Sequence, residues 1–315
     1  IKEEEMLSSS LYSVKDTSSQ YGINLEENTK YSSLKHILEN IKNISNNNVE
    51  MSTSGPSGHS IIYTNGKIKQ PAANGHLILN PSGIDLRVIP GKIKNVNYEK
   101  ISDNRYKANL MSHDGNKVLS LSFYSKEDLN ISSSEISSLK STMKTINKSN
   151  DIENLWRNMA DVHHFYPMLQ QLGISKLEAF QKVPNDLARK VSTESLLTTL
   201  NKIHNDNKKM MIFVGNDSAI QIYTGPIDKI TEIMNGKKIV IHGTTEEGGK
   251  SVIRIAKDEV GEAWVVNKNS RDGFITSLEL FNKNEEHIAQ FYGVRREGQK
   301  QDEYWGDLMR KLPNH

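Results

Sequence analysis

The sequence predicts an α+β fold built by duplication, each half a large antiparallel β-sheet flanked by helices with a ligand cleft between the halves. Three observations predict it. Helical segments precede strand-rich segments twice along the chain. Short motifs recur in one order, with Ile62-Tyr63-Thr64 repeated as Ile222-Tyr223-Thr224 and Asn74-Gly75 as Asn235-Gly236. Later, NLMSHDGNKVLSLS at 109–122 lines up with ELFNKNEEHIAQFY at 279–292, both patterned as strand, turn, strand. The repeats predict two units, 1–147 and 151–315, and two equivalent halves leave one cleft between them for a ligand.

In the first unit, Leu34, Ile37, Leu38 and Ile41 fall at helical spacing and predict a helix over 34–44. A mobile polar stretch, NISNNN, is expected after it. From residue 61 the segments SIIYTNG, GHLILNP, GIDLRVIPG, RYKANLMS and KVLSLSFY are β-branched or alternating, and Gly, Pro, Asn and Asp separate them. They read as antiparallel strands. An amphipathic helix is expected over 135–147 and a linker at 148–151.

The second unit opens with a helical block. NLWRNMADVHHFYPMLQQLG reads as one helix, SKLEAFQKV as a second capped by Ser175, and STESLLTTLNKIH as a third with Ser192 and Glu194 near its start. KMMIFVGN, AIQIYTG, KKIVIHG, SVIRIAK, EAWVVNK, FITSLELF and HIAQFYG read as strands. DEYWGDLMRKL closes the chain as a helix.

Composition narrows the function. The 315 residues contain no cysteine, which removes disulfide scaffolds, thiolate metal sites and cysteine nucleophiles. Forty basic residues against 38 acidic ones give a net charge of +2, far from the basic stripe that nucleic acid requires. The apolar runs are too short to span a bilayer, and IKEEEMLSSS lacks the apolar core of a signal peptide. The chain therefore reads as a cytoplasmic protein. GTTEEGGKS at 243–251 departs from a phosphate loop because Thr244 stands where the first Gly belongs, and a strand pattern follows it; it reads as a hairpin loop.

Two clusters carry candidate chemistry. In ADVHHFYPML, neighbouring residues on a helix point about 100° apart, so His163 and His164 cannot share a face. His163 lies beside the stripe of Met159, Tyr166, Met168 and Leu169. Pro167 is expected to kink or end the helix near His163. An imidazole among Met, Phe and Tyr suits haem iron, although the pattern taken alone favours an ordinary core histidine. The other cluster lies in EAWVVNKNSRDGFITSLELF and EHIAQFYGVRREG. Gln290 and Tyr292 share one strand face, with Arg295 past its end. Such a face is solvated by default; turned into a cleft with Lys and Arg, it would hold carboxylates.

At these residues the chain resembles the HemS/ChuS/HmuS family of bacterial haem-degrading and haem-trafficking proteins. WRNMADVHHFY, NDLARKVS, IFVGN, IQIYTG, EAWVVNK, DGFITSLELF and IAQFYGVRREG carry the resemblance, with NGHLILNP and IDLRV in the first half. The resemblance implies haem in the inter-half cleft. It implies His163 as proximal iron ligand, with His164 as a possible alternate, and Arg87 as the distal, catalytic arginine. Lys268, Gln290, Tyr292 and Arg295 match family positions that contact haem. Lys176 stands where the family has Arg, which keeps charge but loses the bidentate fork. The resemblance also implies first helices that are expected to be missing before Ile1. The implied activity is reductive ring opening that releases iron, with an external reductant supplied by an electron-donating reductase and haem delivered by an importer. A carrier that passes haem onward needs the same pocket.

Overall fold

In the computed structural model, residues 31–68, 77–79, 84–131, 133–136, 151–296 and 298–315 are described. The first half contributes β1 (Tyr31–Ser32), α1 (Leu34–Ile44), β2 (Val49–Ser54), β3 (Ser60–Gly66), β4 (Leu77–Leu79), β5 (Ile84–Val88), β6 (Ile93–Ser102), β7 (Arg105–Ser112), β8 (Lys117–Tyr124) and β9 (Ser134–Ile136). The second contributes α2 (Ile152–Arg157), α3 (Phe165–Leu172), α4 (Lys176–Lys182), β10 (Ala188–Val191), α5 (Ser195–Asn205) and β11 (Lys209–Gly215). It continues with β12 (Ala219–Pro226), β13 (Lys229–Ile233), β14 (Lys238–Thr244), β15 (Lys250–Ile255), β16 (Val260–Ser270), β17 (Gly273–Asn282), β18 (His287–Gly293) and α6 (Glu303–Arg310).

These strands form two sheets, antiparallel except where β1 pairs with β9. The ten-stranded sheet runs β1-β9-β6-β7-β8-β2-β3-β15-β14-β13, and the eight-stranded sheet β10-β16-β17-β18-β11-β12-β5-β4. The two orders are equivalent from β6 to β3 and from β16 to β12. Beyond that point the halves exchange strands. β15 of the second half extends β3, with Val252 opposite Ile62, and β5 of the first half extends β12, with Arg87 opposite Ile220. Ile62-Tyr63-Thr64 and Ile222-Tyr223-Thr224 lie on the matching strands β3 and β12. The 109–122 and 279–292 segments are the matching hairpins β7–β8 and β17–β18. Asn235 and Gly236 turn β13 into β14, both with positive φ, while Asn74-Gly75 lies outside the described residues.

One continuous core gathers apolar residues of both sheets with those of α1, α5 and α6. α1 forms because Leu34, Ile37, Leu38 and Ile41 make one buried stripe and Ser33 Oγ accepts the His36 amide at 3.0 Å. The halves meet tightly at Gly55, where a Cβ would stand 2.4 Å from the Gly215 carbonyl oxygen. Across the junction Gln221 Nε2 donates to Thr53 Oγ1 at 2.6 Å, and Asn216 Nδ2 donates to the Ser54 and Val118 carbonyls. A second core, on the opposite face of the eight-stranded sheet, holds α2–α4 against Trp264, Val266 and Phe281.

Several expectations change. NISNNN is a defined turn from α1 to β2: Asn46 and Asn47 take left-handed conformations, and Asn47 Oδ1 accepts the Ile68 amide at 2.7 Å. Residues 134–136 form β9 instead of starting a helix; 137–150 lie outside the described residues. NLWRNMADVHHFYPMLQQLG is broken into α2, a 3₁₀ turn over Val162–His164, and α3. Asp161 causes the break by starting a new cap, its carboxylate accepting the His163 amide at 2.9 Å. Pro167 neither kinks nor ends a helix: it is the third residue of α3, where no amide has an intrahelical acceptor to lose. Ser175 caps α4 as expected, and GTTEEGGKS is the β14–β15 hairpin loop.

Candidate functional site

The candidate site occupies the face of the eight-stranded sheet opposite the main core. Cross-strand pairing assembles that face. Gln290 on β18 stands between Glu279 on β17 and Phe213 on β11; Tyr292 stands between Ser277 and Met211; Arg87 on β5 adjoins Ile220 on β12. α2–α4 cover the β16–β17 end, and the remainder opens into a cavity of about 810 Å³, within the range of roughly 300–1,000 Å³ typical of small-molecule sites. Both halves line it: Arg87, Ile89 and Lys117 from the first, Phe213, Lys176 and Gln290 among those from the second.

A buried ionic network lies beneath the cavity. Glu279, fully buried, has four partners. Oε1 receives Lys176 Nζ at 3.3 Å and His287 Nε2 at 3.0 Å; Oε2 receives Ser277 Oγ at 2.7 Å and Lys268 Nζ at 3.2 Å. Burial alone would raise the Glu279 pKa, but Lys176, Lys268 and His287 outweigh it and hold the carboxyl well below its usual range. Burial, with Lys176 adding to it, lowers the His287 pKa to about 4, so its imidazole is neutral at pH 7. Lys268 also donates to the Tyr292 hydroxyl, which donates to Gln290 Oε1 at 3.3 Å. The ammonium of Lys268 lies 5.0 Å from the centre of the Phe165 ring and 4.9 Å from that of Tyr292.

The sequence-predicted residues thus fall into three groups. Arg87, Lys176 and Gln290 line the cavity. Lys268 and Tyr292 are fully buried behind it and connected to Gln290. His163, His164 and Arg295 stand outside its lining. Val162 packs with Tyr292 and Phe213, which seats the His163 turn on the same sheet face. The Arg271 amide, donating to the Ala160 carbonyl at 2.9 Å, ties that turn to the β16–β17 turn. His163 is nearly buried, with Nδ1 against the Asp161 carboxylate; His164 is exposed. With a carboxylate at Nδ1, Nε2 is the nitrogen available to a metal, the arrangement common for metal-binding imidazoles. Burial would raise the Asp161 pKa, but the His163 amide and the two imidazoles hold it below the usual range. Arg295 lies 4.0 Å from Asp272 and donates to the Gln299 carbonyl at 3.5 Å. It lies beyond the end of β18 at Gly293, so strand alternation does not set its side.

Arg87 is the least satisfied of the group. It is 6 % exposed, and its buried Nε has no hydrogen-bond partner among the described residues. A buried donor in that state costs about 1–3 kcal/mol until something accepts from it. Sequence reading missed Glu279 and His287. Alternation in SLELF carried the signal for Glu279, since it sets Ser277 and Glu279 opposite Tyr292 and Gln290.

The duplicated α+β fold has counterparts among known proteins. Residues 173–312 match the family model described as the haemin-degrading HemS.ChuX domain. The hemin transport protein HemS of Yersinia enterocolitica is 30% identical over 269 residues, 79% of this chain and 76% of that protein. HmuS of Yersinia pestis, also a hemin transport protein, is 28% identical over the same shares. The chain belongs to the HemS/ChuS/HmuS family. Its fold agrees with the heme degrading enzyme ChuS of Escherichia coli O157:H7, at a TM-score of 0.68 and 24% identity, covering 87% of this chain and 84% of that one. It agrees equally with apo-PhuS, a heme-binding protein from Pseudomonas aeruginosa, at 0.68 and 18% identity over the same shares. Among the described residues no helix is long and apolar enough to cross a membrane.

Proposed function

We propose that this chain binds haem in the cavity between its halves and opens the ring with electrons from outside, releasing iron. The observation that carries this reading is Arg87. The first half delivers to the cavity a buried guanidinium whose Nε has no hydrogen-bond partner among the described residues. Haem is a flat apolar ring with two carboxylates and an iron that favours imidazole. Phe213, Ile220 and Leu169 offer the ring an apolar wall. Lys176 and Lys268 share one carboxylate, Glu279, so the cluster carries an excess positive charge suited to a propionate; Arg295 serves a propionate at the outer edge. His163 ligates iron through Nε2, with His164 one residue away as alternate. Gln290 and Tyr292 hold the wall in register.

Guanidinium stays protonated at neutral pH and is a poor metal ligand. Its use at the distal face is to donate hydrogen bonds where negative charge develops as electrons arrive. The electrons come from a reductase, and haem comes from an importer, in the cytoplasm. The sequence units 1–147 and 151–315 are the proposed repeats behind this one site.

The carrier reading, in which haem is passed on intact, draws on the Yersinia relatives named as transport proteins. Haemin, an electron donor and catalase, followed by absorbance, separate the two. A Soret band that bleaches with release of iron is expected; a stable band under reduction makes the chain a carrier.

A further inference from the structure

The β17–β18 hairpin contains a bulge that decides which side chains face the cavity. Stepping back by twos from Gln290 would put Ile288 on its face and His287 on the core face. The register changes instead: Leu280 pairs with Ala289 and Phe281 pairs with His287, which leaves Ile288 as the extra residue. Ile288 goes into the main core, and His287 turns to the face of Glu279 and lines the cavity.

His287 is also oriented. A carboxylate has no proton to give, so Nε2 donates to Glu279 Oε1 at 3.0 Å and Nδ1 carries the lone pair. The Phe281 ring packs against the imidazole at 5.3 Å. Nδ1 has no hydrogen-bond partner among the described residues. A neutral imidazole backed by a buried carboxylate and open to a cavity is the arrangement that metal-ligating histidines adopt. His163, by contrast, stands outside the cavity lining. The equivalent position on the first-half bulge is Lys117, which has no imidazole to offer.

We propose that His287 is a second iron-ligating histidine for haem in this cavity, acting through Nδ1 and independently of His163. The proposal rests on the haem reading above. It is tested by ferric absorbance and electron paramagnetic resonance of the full chain titrated with haemin. The wild type, His163→Ala/His164→Ala, and the same variant carrying His287→Gln are compared. Gln retains a donor toward Glu279 but has no imidazole lone pair. The double variant is expected to keep a histidine-ligated ferric spectrum, and the triple variant to lose it. Should the triple variant not fold, His287→Gln alone in the wild type is expected to shift the ferric spectrum. If His287→Gln changes the spectrum in neither background, His287 is not a ligand although haem still binds. If the wild type never saturates with haemin, the haem reading falls and this proposal with it.

Discussion

The hairpins β7–β8 and β17–β18 are the same piece of architecture with different contents. Both carry a bulge at the same place: Leu110 pairs with Leu119 and Met111 with Lys117, as Leu280 pairs with Ala289 and Phe281 with His287. In the first half, Asn109 accepts from Ser120 Oγ at 2.7 Å, with Ser122 and Lys117 completing the set. In the second, those positions are Glu279, Gln290, Tyr292 and His287, linked through Lys268 and Lys176. The scaffold repeats and the chemistry does not. A duplicated fold with two equivalent sheets therefore offers one ionic wall, and one site is expected.

The largest test of this difference is stability. Glu279→Ala leaves Lys268 buried without its carboxylate and should cost about 3–5 kcal/mol, the range for breaking a buried ion pair. Asn109→Ala, which removes one neutral hydrogen bond, should cost about 1 kcal/mol. Urea unfolding of both measures the gap; equal losses would erase the distinction between the hairpins.

Arg87→Ala comes next. It should keep haemin affinity close to normal while slowing reductant-driven bleaching on the order of a hundredfold, the typical loss for one donor to developing charge. Titrating and then assaying the same preparation checks it. Collapsed affinity with a normal rate for the haem still bound would make Arg87 a binding residue only.

Acid acts mainly on the second-half hairpin. Glu279 has a folded pKa below its unfolded value, so its contribution is present above that value and is lost as pH falls through the folded one. His287 and His59 are both lowered from 6.5 to about 4, mainly by burial, so below pH 6.5 the unfolded chain takes up protons that the folded chain refuses. Stability should decline between pH 6.5 and 4, and His287→Gln should flatten the decline. Urea midpoints at pH 7 and pH 5 read it; an unchanged slope would mean His287 is solvated. The smallest effect belongs to Lys117→Ala, which should move stability by no more than about 0.5 kcal/mol, checked by the same urea midpoint.

How far the sequence carries is clearest at particular residues. Alternation in HIAQFYG places Gln290 and Tyr292 together, and the structure buries both. Helical spacing finds α1 and its stripe. β6, β10 and β13 escape because they are short or carry polar residues on much of their length, so no clean period emerges. The exchange of β5 and β15 between halves is invisible to local pattern, since any strand edge would accept either. Asp161 signalled a new cap inside the helical block, but the apolar period on both sides masked it. His287 was beyond reach because a bulge changes which face a residue takes without changing its composition.

One haem site in the cavity that both halves line predicts a single saturable step when the full chain is titrated with haemin. The Soret absorbance should break at one haem per chain, and Gln290→Trp, which plants a large ring on the cavity wall, should abolish that saturable step, with circular dichroism checking that the variant is folded. A break at two haems per chain, or undiminished binding by Gln290→Trp, would contradict it.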